Sequence, residues 1–65
     1  MNVWLNGEKT ETGAENIPEL LHSLNLPASA LLVEHNGLAL HREEWPRRVL
    51  EEGDRIEIIR IVAGG

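Results

Sequence analysis

The dipeptide Asn-Gly occurs twice in this chain, at positions 6–7 and 36–37, each time between two short runs with the composition of β-strands. Both residue types tolerate a positive φ, so the pair favours the two-residue turn of a β-hairpin. The first hairpin is predicted to join residues 1–5 to 8–12, and the second to join 31–35 to 38–40. Two such turns therefore predict a β-sheet.

A helix is predicted between the two hairpins, over residues 16–25. Four apolar residues have the i, i+3, i+4, i+7 spacing of one helical face, namely Ile17, Leu20, Leu21 and Leu24. Asn16 and Glu19 have the spacing of a capping box. Pro18 falls in the first turn, where its missing N–H costs nothing, and Asn25 can end the helix in a left-handed conformation.

Residues 55–61 are rich in isoleucine and predict a last strand with a neighbour on each side. Residues 41–48 predict a loop with a turn of helix. The order is therefore β-β-α-β-β-β. The predicted fold class is α+β, with a mixed sheet of four to five strands and one main helix packed on one face. At 65 residues, the whole of 1–65 forms one domain.

Composition restricts the function classes. Eleven acidic residues against six basic ones give a net charge of −5, which argues against a nucleic-acid partner. The chain contains no cysteine and no long apolar run, so we expect no disulfide, no signal peptide, no membrane association and a cytoplasmic location. His22, His35 and His41 lack metal-ligand spacing, so we expect each to be a surface or partly packed histidine, and we expect no bound metal or cofactor. So small a core favours a carrier over an enzyme.

The carboxyl-terminal half has a more specific pattern. It contains the Asn36-Gly37 turn, Trp45 in the connecting loop, a Glu-Gly-Asp turn at positions 52–54, and Gly64-Gly65 after the last strand. This pattern resembles the ThiS family, the sulfur carriers of thiazole synthesis in thiamine production. The resemblance covers the whole chain, although the first thirty residues match mainly in pattern. Two positions depart from the family: Pro18, and His35 at an inward-facing strand position that is usually apolar.

The resemblance implies a ubiquitin-like β-grasp fold and a mechanism centred on Gly65. An adenylyltransferase of the ubiquitin-activating type would use ATP to adenylate the Gly65 carboxylate. A persulfide donor would then convert it to a thiocarboxylate, and thiazole synthase would take the sulfur. Val62, Ala63 and Gly64 would form a flexible tail, because glycine lacks a Cβ and suits a narrow channel. We therefore expect weak order from about residue 62 onward.

Strand alternation also predicts a docking surface. If Ile56 and Ile58 face the helix, then four apolar side chains lie together on the opposite face of the sheet, namely Trp4, Leu32, Ile59 and Ile61. An apolar patch beside the tail is typical of a site for a partner protein. Trp45, by contrast, is predicted to cover one edge of the core.

Three alternatives remain open at this stage. The small subunit of molybdopterin synthase also ends in Gly-Gly, but it is usually longer and richer in phenylalanine, which this chain lacks. The chain could instead be a protein modifier conjugated to lysines; its own single lysine is Lys9. It could also be a ubiquitin-like module that binds non-covalently and has an inert tail.

Overall fold

The computed structural model describes residues 1–61, so the predicted mobility of the tail from Val62 onward lies outside the described residues. The strands are Asn2–Leu5 (β1), Glu8–Glu11 (β2), Leu31–His35 (β3), Leu38–Leu40 (β4) and Arg55–Arg60 (β5). One α-helix, Ile17–Ser23 (α1), lies between the hairpins, and a 3₁₀ helix, Arg42–Arg47, lies between β4 and β5.

Both Asn-Gly turns form as predicted. Asn6 and Gly7 have φ values of 49° and 84°, and Asn36 and Gly37 have 52° and 85°. Each pair supplies the two positive φ angles that match the twist of the adjoining strands. β1 pairs with β2 and β3 pairs with β4, both antiparallel.

The five strands form one mixed sheet in the order β2-β1-β5-β3-β4. The predicted central position of the last strand is confirmed, since β5 lies parallel to β1 and antiparallel to β3. β5 ends one residue before the predicted boundary. Ile61 nevertheless stays attached to the sheet, because its N–H donates to the Ala30 carbonyl oxygen at 2.8 Å.

The helix forms where predicted but is shorter at both ends. The Asn16 side chain caps it by accepting the Glu19 N–H at 2.9 Å. In the predicted capping box the Glu19 carboxylate would accept the N–H of Asn16. It accepts the N–H of Glu15 instead, one residue earlier in the chain. The helix ends at Ser23, and Asn25 follows with the predicted left-handed φ of 56°.

The core lies between α1 and one face of the sheet. Its buried apolar side chains are Val3, Ala14, Ile17, Leu20, Leu21, Leu31, Val33, Leu40, Trp45, Leu50 and Ile56. Trp45 is buried as predicted, and the Arg42 guanidinium lies 5.2 Å from its ring centroid. Leu50 anchors the loop before β5, whereas its neighbour Val49 is exposed. One face of the sheet is thus covered by the helix, and the opposite face is open.

Candidate functional site

The base of the carboxyl-terminal tail is the first part of the candidate site. β5 pairs with β3 along most of its length and with β1 at Arg55 and Ile56, and the Ile61–Ala30 bond fixes the chain one residue beyond it. Four residues follow Ile61 in the sequence. At about 3.3 Å per residue they can carry the Gly65 carbonyl no further than roughly 13 Å from Ile61. Any partner group that contacts Gly65 must therefore come close to the end of β5.

The open face of the sheet is the second part. Trp4, Leu32, Ile59 and Ile61 are 45 %, 51 %, 48 % and 48 % exposed, so their outward orientation agrees with the predicted alternation. Their buried neighbours Val3, Val33 and Ile56 point to the core. The docking role of these four side chains stays a prediction.

Strand register divides these four side chains into two groups. Leu32 lies directly opposite Ile59. Ile59 is two residues before Ile61, after which the tail begins, so this pair lies at the tail end of the sheet. Trp4 lies level with Arg55, four residues or about 13 Å along the strand from Ile59. The predicted closeness of Trp4 to Ile59 and Ile61 is therefore wrong. Alternation predicts which face of the sheet a side chain occupies, whereas the parallel pairing of β1 with β5 determines its position along the strands.

Charged side chains occupy the space between the two groups. Glu34 on β3 lies directly opposite Glu57 on β5, next to the Leu32–Ile59 pair. At the other end, Lys9 and Arg55 flank Trp4 in the register of β2 and β5. The open face thus has an apolar and acidic end beside the tail, and an aromatic and basic end away from it.

A buried polar cluster lies at the opposite end of β5 from the tail. His35, 4 % exposed, places its Nε2 at 2.6 Å from an Asp54 carboxylate oxygen. Arg48 donates from Nε to His35 Nδ1 at 3.2 Å. Since arginine can only donate, Nδ1 accepts, and the histidine is the neutral Nε2–H tautomer that donates to Asp54.

The Asp54 carboxylate also holds two turns. It accepts the Glu51 N–H at 2.9 Å and the Asn36 side-chain amide at 3.1 Å. Burial raises the pKa of Asp54, but the hydrogen bonds from His35, Glu51 and Asn36 outweigh it and hold the pKa below its ordinary value. The cluster thus links the end of β3, the loop that contains Arg48, and the turn before β5.

The sequence contained two signals of this cluster. His35 occupied an inward-facing strand position, and Asp54 ended a tight turn just before the last strand. Neither signal indicates the other, because the two residues become neighbours only through the β3–β5 pairing. The expectation of a surface or partly packed histidine holds for His22 and His41, which are exposed, and is wrong for His35.

Among residues 1–61, no group of three His, Asp or Glu side chains could hold a metal ion. No helix there is long and apolar enough to span a bilayer.

A mixed five-stranded sheet with one helix across it, and a central last strand that leads to Gly64-Gly65, defines a ubiquitin-like β-grasp protein. The ThiS family model matches residues 3–65. The chain therefore belongs to the ThiS family, as the sequence pattern predicted.

Relatives and solved structures agree with this assignment. The crystal structure of the thiamine biosynthesis protein ThiS from Geobacter metallireducens superimposes with a TM-score of 0.84 at 35 % identity, and all of both chains is covered. The sulfur carrier protein ThiS of Thermus thermophilus is 32 % identical over 97 % of this chain and 98 % of its own length. That of Escherichia coli is 26 % identical over the full length of both.

Proposed function

We propose that this chain is a sulfur carrier for thiamine biosynthesis, in which the Gly65 carboxyl holds the sulfur as a thiocarboxylate. The relatives in Thermus thermophilus and Escherichia coli are each named sulfur carrier protein ThiS. The observation that carries the proposal is the anchoring of the chain at Ile61 on a central strand, four residues before the terminal Gly65. The reactive carboxyl is thus tied to a docking body at a fixed maximum distance.

The chemistry begins with activation, because a carboxylate is a poor electrophile. A carboxylate oxygen of Gly65 attacks the α-phosphorus of ATP, and pyrophosphate leaves. The terminal sulfur of a persulfide then attacks the acyl carbon and displaces AMP, which forms an acyl disulfide. A thiol reductant cleaves the S–S bond and leaves the thiocarboxylate, whose sulfur thiazole synthase accepts. Gly64 and Gly65 suit this sequence because neither has a Cβ that would crowd the acyl carbon.

The chain's own polar cluster is too distant to take part. Asp54 and Ile61 are seven residues apart on an extended segment, or about 23 Å, whereas the tail reaches roughly 13 Å. The groups that bind ATP and activate the persulfide must then come from partner proteins. This supports a carrier that acts as a co-substrate of an adenylyltransferase of the ubiquitin-activating type and of thiazole synthase.

The apolar end of the open face is where these partners would dock. Leu32, Ile59 and Ile61 lie within the reach of the tail, so a protein that holds the Gly65 carboxyl necessarily approaches them. Trp4 stays a candidate contact at the edge of a larger interface.

The test is a charging reaction with the activating enzyme, ATP and a persulfide donor. We expect mass spectrometry to show that the intact protein gains one sulfur and loses one oxygen, localised to the carboxyl-terminal peptide. Deletion of Gly65 should abolish the gain, because the acyl carbon would lie about 3.3 Å short of the adenylation site, and reacting groups tolerate little displacement. Gly65→Ala should fold normally and react slowly.

The outcomes separate the alternatives. A deletion variant that is still charged with sulfur would contradict the proposal. Isopeptide bonds to lysines as the sole product would identify a protein modifier. Assembly with the large subunit of molybdopterin synthase, in place of sulfur transfer to thiazole synthase, would identify the chain as the small subunit of that enzyme.

A further inference from the structure

Two glutamates are paired across the open side of the sheet. Glu34 and Glu57 are direct partners in the antiparallel pairing of β3 with β5. Residues in this relation have Cβ atoms about 4.5–5.5 Å apart, and like charges in it destabilise the sheet. Neither carboxylate forms a salt bridge with a basic side chain among residues 1–61. The folded protein therefore holds two like charges side by side with no basic partner in direct contact.

The acidic pair is adjacent to the apolar pair. Leu32 precedes Glu34 by two residues on β3, and Ile59 follows Glu57 by two residues on β5. The four side chains thus form two neighbouring rows on one face, about 7 Å apart. Leu32 and Ile59 are about half exposed. This surface combines an apolar contact with a concentrated negative charge.

The length of the chain beyond Ile61 indicates which protein covers this surface. A tail that reaches roughly 13 Å forces the protein that adenylates Gly65 against the end of β5. From Ile61, the apolar row lies two residues back along the strand and the acidic row four residues back, or about 13 Å. An enzyme surface of ordinary size that contacts the first row also covers the second.

We propose that the adenylyltransferase inserts an arginine side chain between Glu34 and Glu57, beside an apolar contact on Leu32 and Ile59. This inference rests on the proposed function, since it presupposes that an activating enzyme takes up the tail. A guanidinium presents planar donors to two carboxylates at once, which the compact ammonium of lysine does less well. Docking then removes the repulsion that the free carrier tolerates.

The experiment compares isosteric neutral variants. Glu34→Gln and Glu57→Gln each remove one charge of the pair, and Glu43→Gln in the exposed 3₁₀ helix removes the same charge elsewhere. Affinity for the adenylyltransferase from the same genome is measured by titration calorimetry. The arginine loses a charge-assisted hydrogen bond in each test variant, so each should bind the enzyme roughly tenfold more weakly or worse. The control should change by less than about twofold.

Urea denaturation of the free protein provides the second measurement. Glu34→Gln and Glu57→Gln should raise the urea midpoint in low salt, because the repulsion is lost, while Glu43→Gln should leave it unchanged. Lower affinity in a variant of higher stability cannot be caused by unfolding. Equal affinity of the test and control variants would overturn the inference. So would stabilisation of the free wild-type protein by Mg²⁺ or Ca²⁺ alone, which would assign the pair to a metal ion.

The charging reaction keeps the two proposals distinguishable. Wild-type protein that forms the thiocarboxylate, with test variants that bind like the control, would refute the arginine contact and leave the carrier function intact. Wild-type protein that binds the enzyme but gains no sulfur would refute the carrier function, while the affinities still decide the contact.

Discussion

Replacement of Asp54 by alanine should be among the most damaging polar substitutions in this protein. The change removes the acceptor of the buried His35 ring and two hydrogen bonds that hold turns, from the Glu51 N–H and the Asn36 amide. His35 is 4 % exposed, so its Nε2–H would have little access to water as a substitute partner. The loss therefore exceeds that of an exposed hydrogen bond.

The magnitude follows from these contacts. A buried donor left without a partner costs about 1–3 kcal/mol, and each lost turn bond costs about 1 kcal/mol or less where water replaces it. The total of about 1–5 kcal/mol compares with a free energy of unfolding of about 3–10 kcal/mol for a domain of this length. Asp54→Ala should thus remove a large share of the stability.

A double-mutant cycle with His35→Leu isolates the buried pair. Leucine suits an inward-facing strand position, so in the double variant no buried ring donor remains to be satisfied. We expect the double variant to lose at least 1 kcal/mol less than the two single losses together, measured by urea denaturation followed by circular dichroism. Glu43→Ala, on the exposed 3₁₀ helix, should change the stability by no more than about 0.5 kcal/mol.

Additivity would refute this reasoning. If the losses of Asp54→Ala and His35→Leu sum to that of the double variant within about 0.5 kcal/mol, then the histidine and the aspartate do not depend on each other. The 2.6 Å contact would then contribute no more than an exposed bond.

Three further predictions concern other parts of the molecule. The folded pKa of Asp54 lies below the ordinary 3.8, so the ionised carboxylate stabilises the fold above that pH, and this stabilisation is lost as the pH falls through the folded pKa. The difference in unfolding free energy between wild type and Asp54→Asn should therefore narrow below about pH 4. A constant difference down to about pH 2 would contradict this. Ala30 has a φ of 64°, so Ala30→Gly should raise the free energy of unfolding, measured by urea denaturation, by about 0.5 kcal/mol after the entropy cost of glycine. A lower free energy of unfolding would show that the alanine is not strained. Trp4→Ala should leave the free energy of unfolding nearly unchanged. It should lower the affinity for the activating enzyme less than Ile59→Ala does, because Trp4 lies further from the tail. An unfolded Trp4→Ala protein, or the reverse order of affinities in calorimetry, would contradict that placement.

The sequence predicted the features that depend on local chemistry. The Asn-Gly turns, the capped helix and the alternation of Val3 with Trp4 are determined by residues close together in the chain, and the structure contains all of them. The central position of β5 also followed, because its density of isoleucine is typical of a strand with two neighbours. The resemblance to the ThiS family was confirmed by the family match.

The features that the sequence did not predict depend on long-range register. The height of Trp4 relative to Ile59 is determined by the pairing of β1 with β5, which are separated by most of the chain. The Glu34–Glu57 pair and the His35–Asp54 contact depend in the same way on the pairing of β3 with β5. A one-residue shift in either pairing would exchange the faces, and local propensity contains no information about it.

The position of β5 has a consequence for how the protein opens. A strand with partners on both sides exchanges its backbone amide hydrogens mainly through global unfolding, whereas edge strands such as β2 and β4 exchange through local fraying. β1 pairs with β5 only at Arg55 and Ile56, so the most protected amides should lie at that end of the strand, and protection should decrease toward the Ile61 N–H, which donates to Ala30. The end of β5 beside the tail would then open before the rest of the sheet, so a partner protein that draws on Gly65 would act on a short segment and leave the paired half of the strand folded.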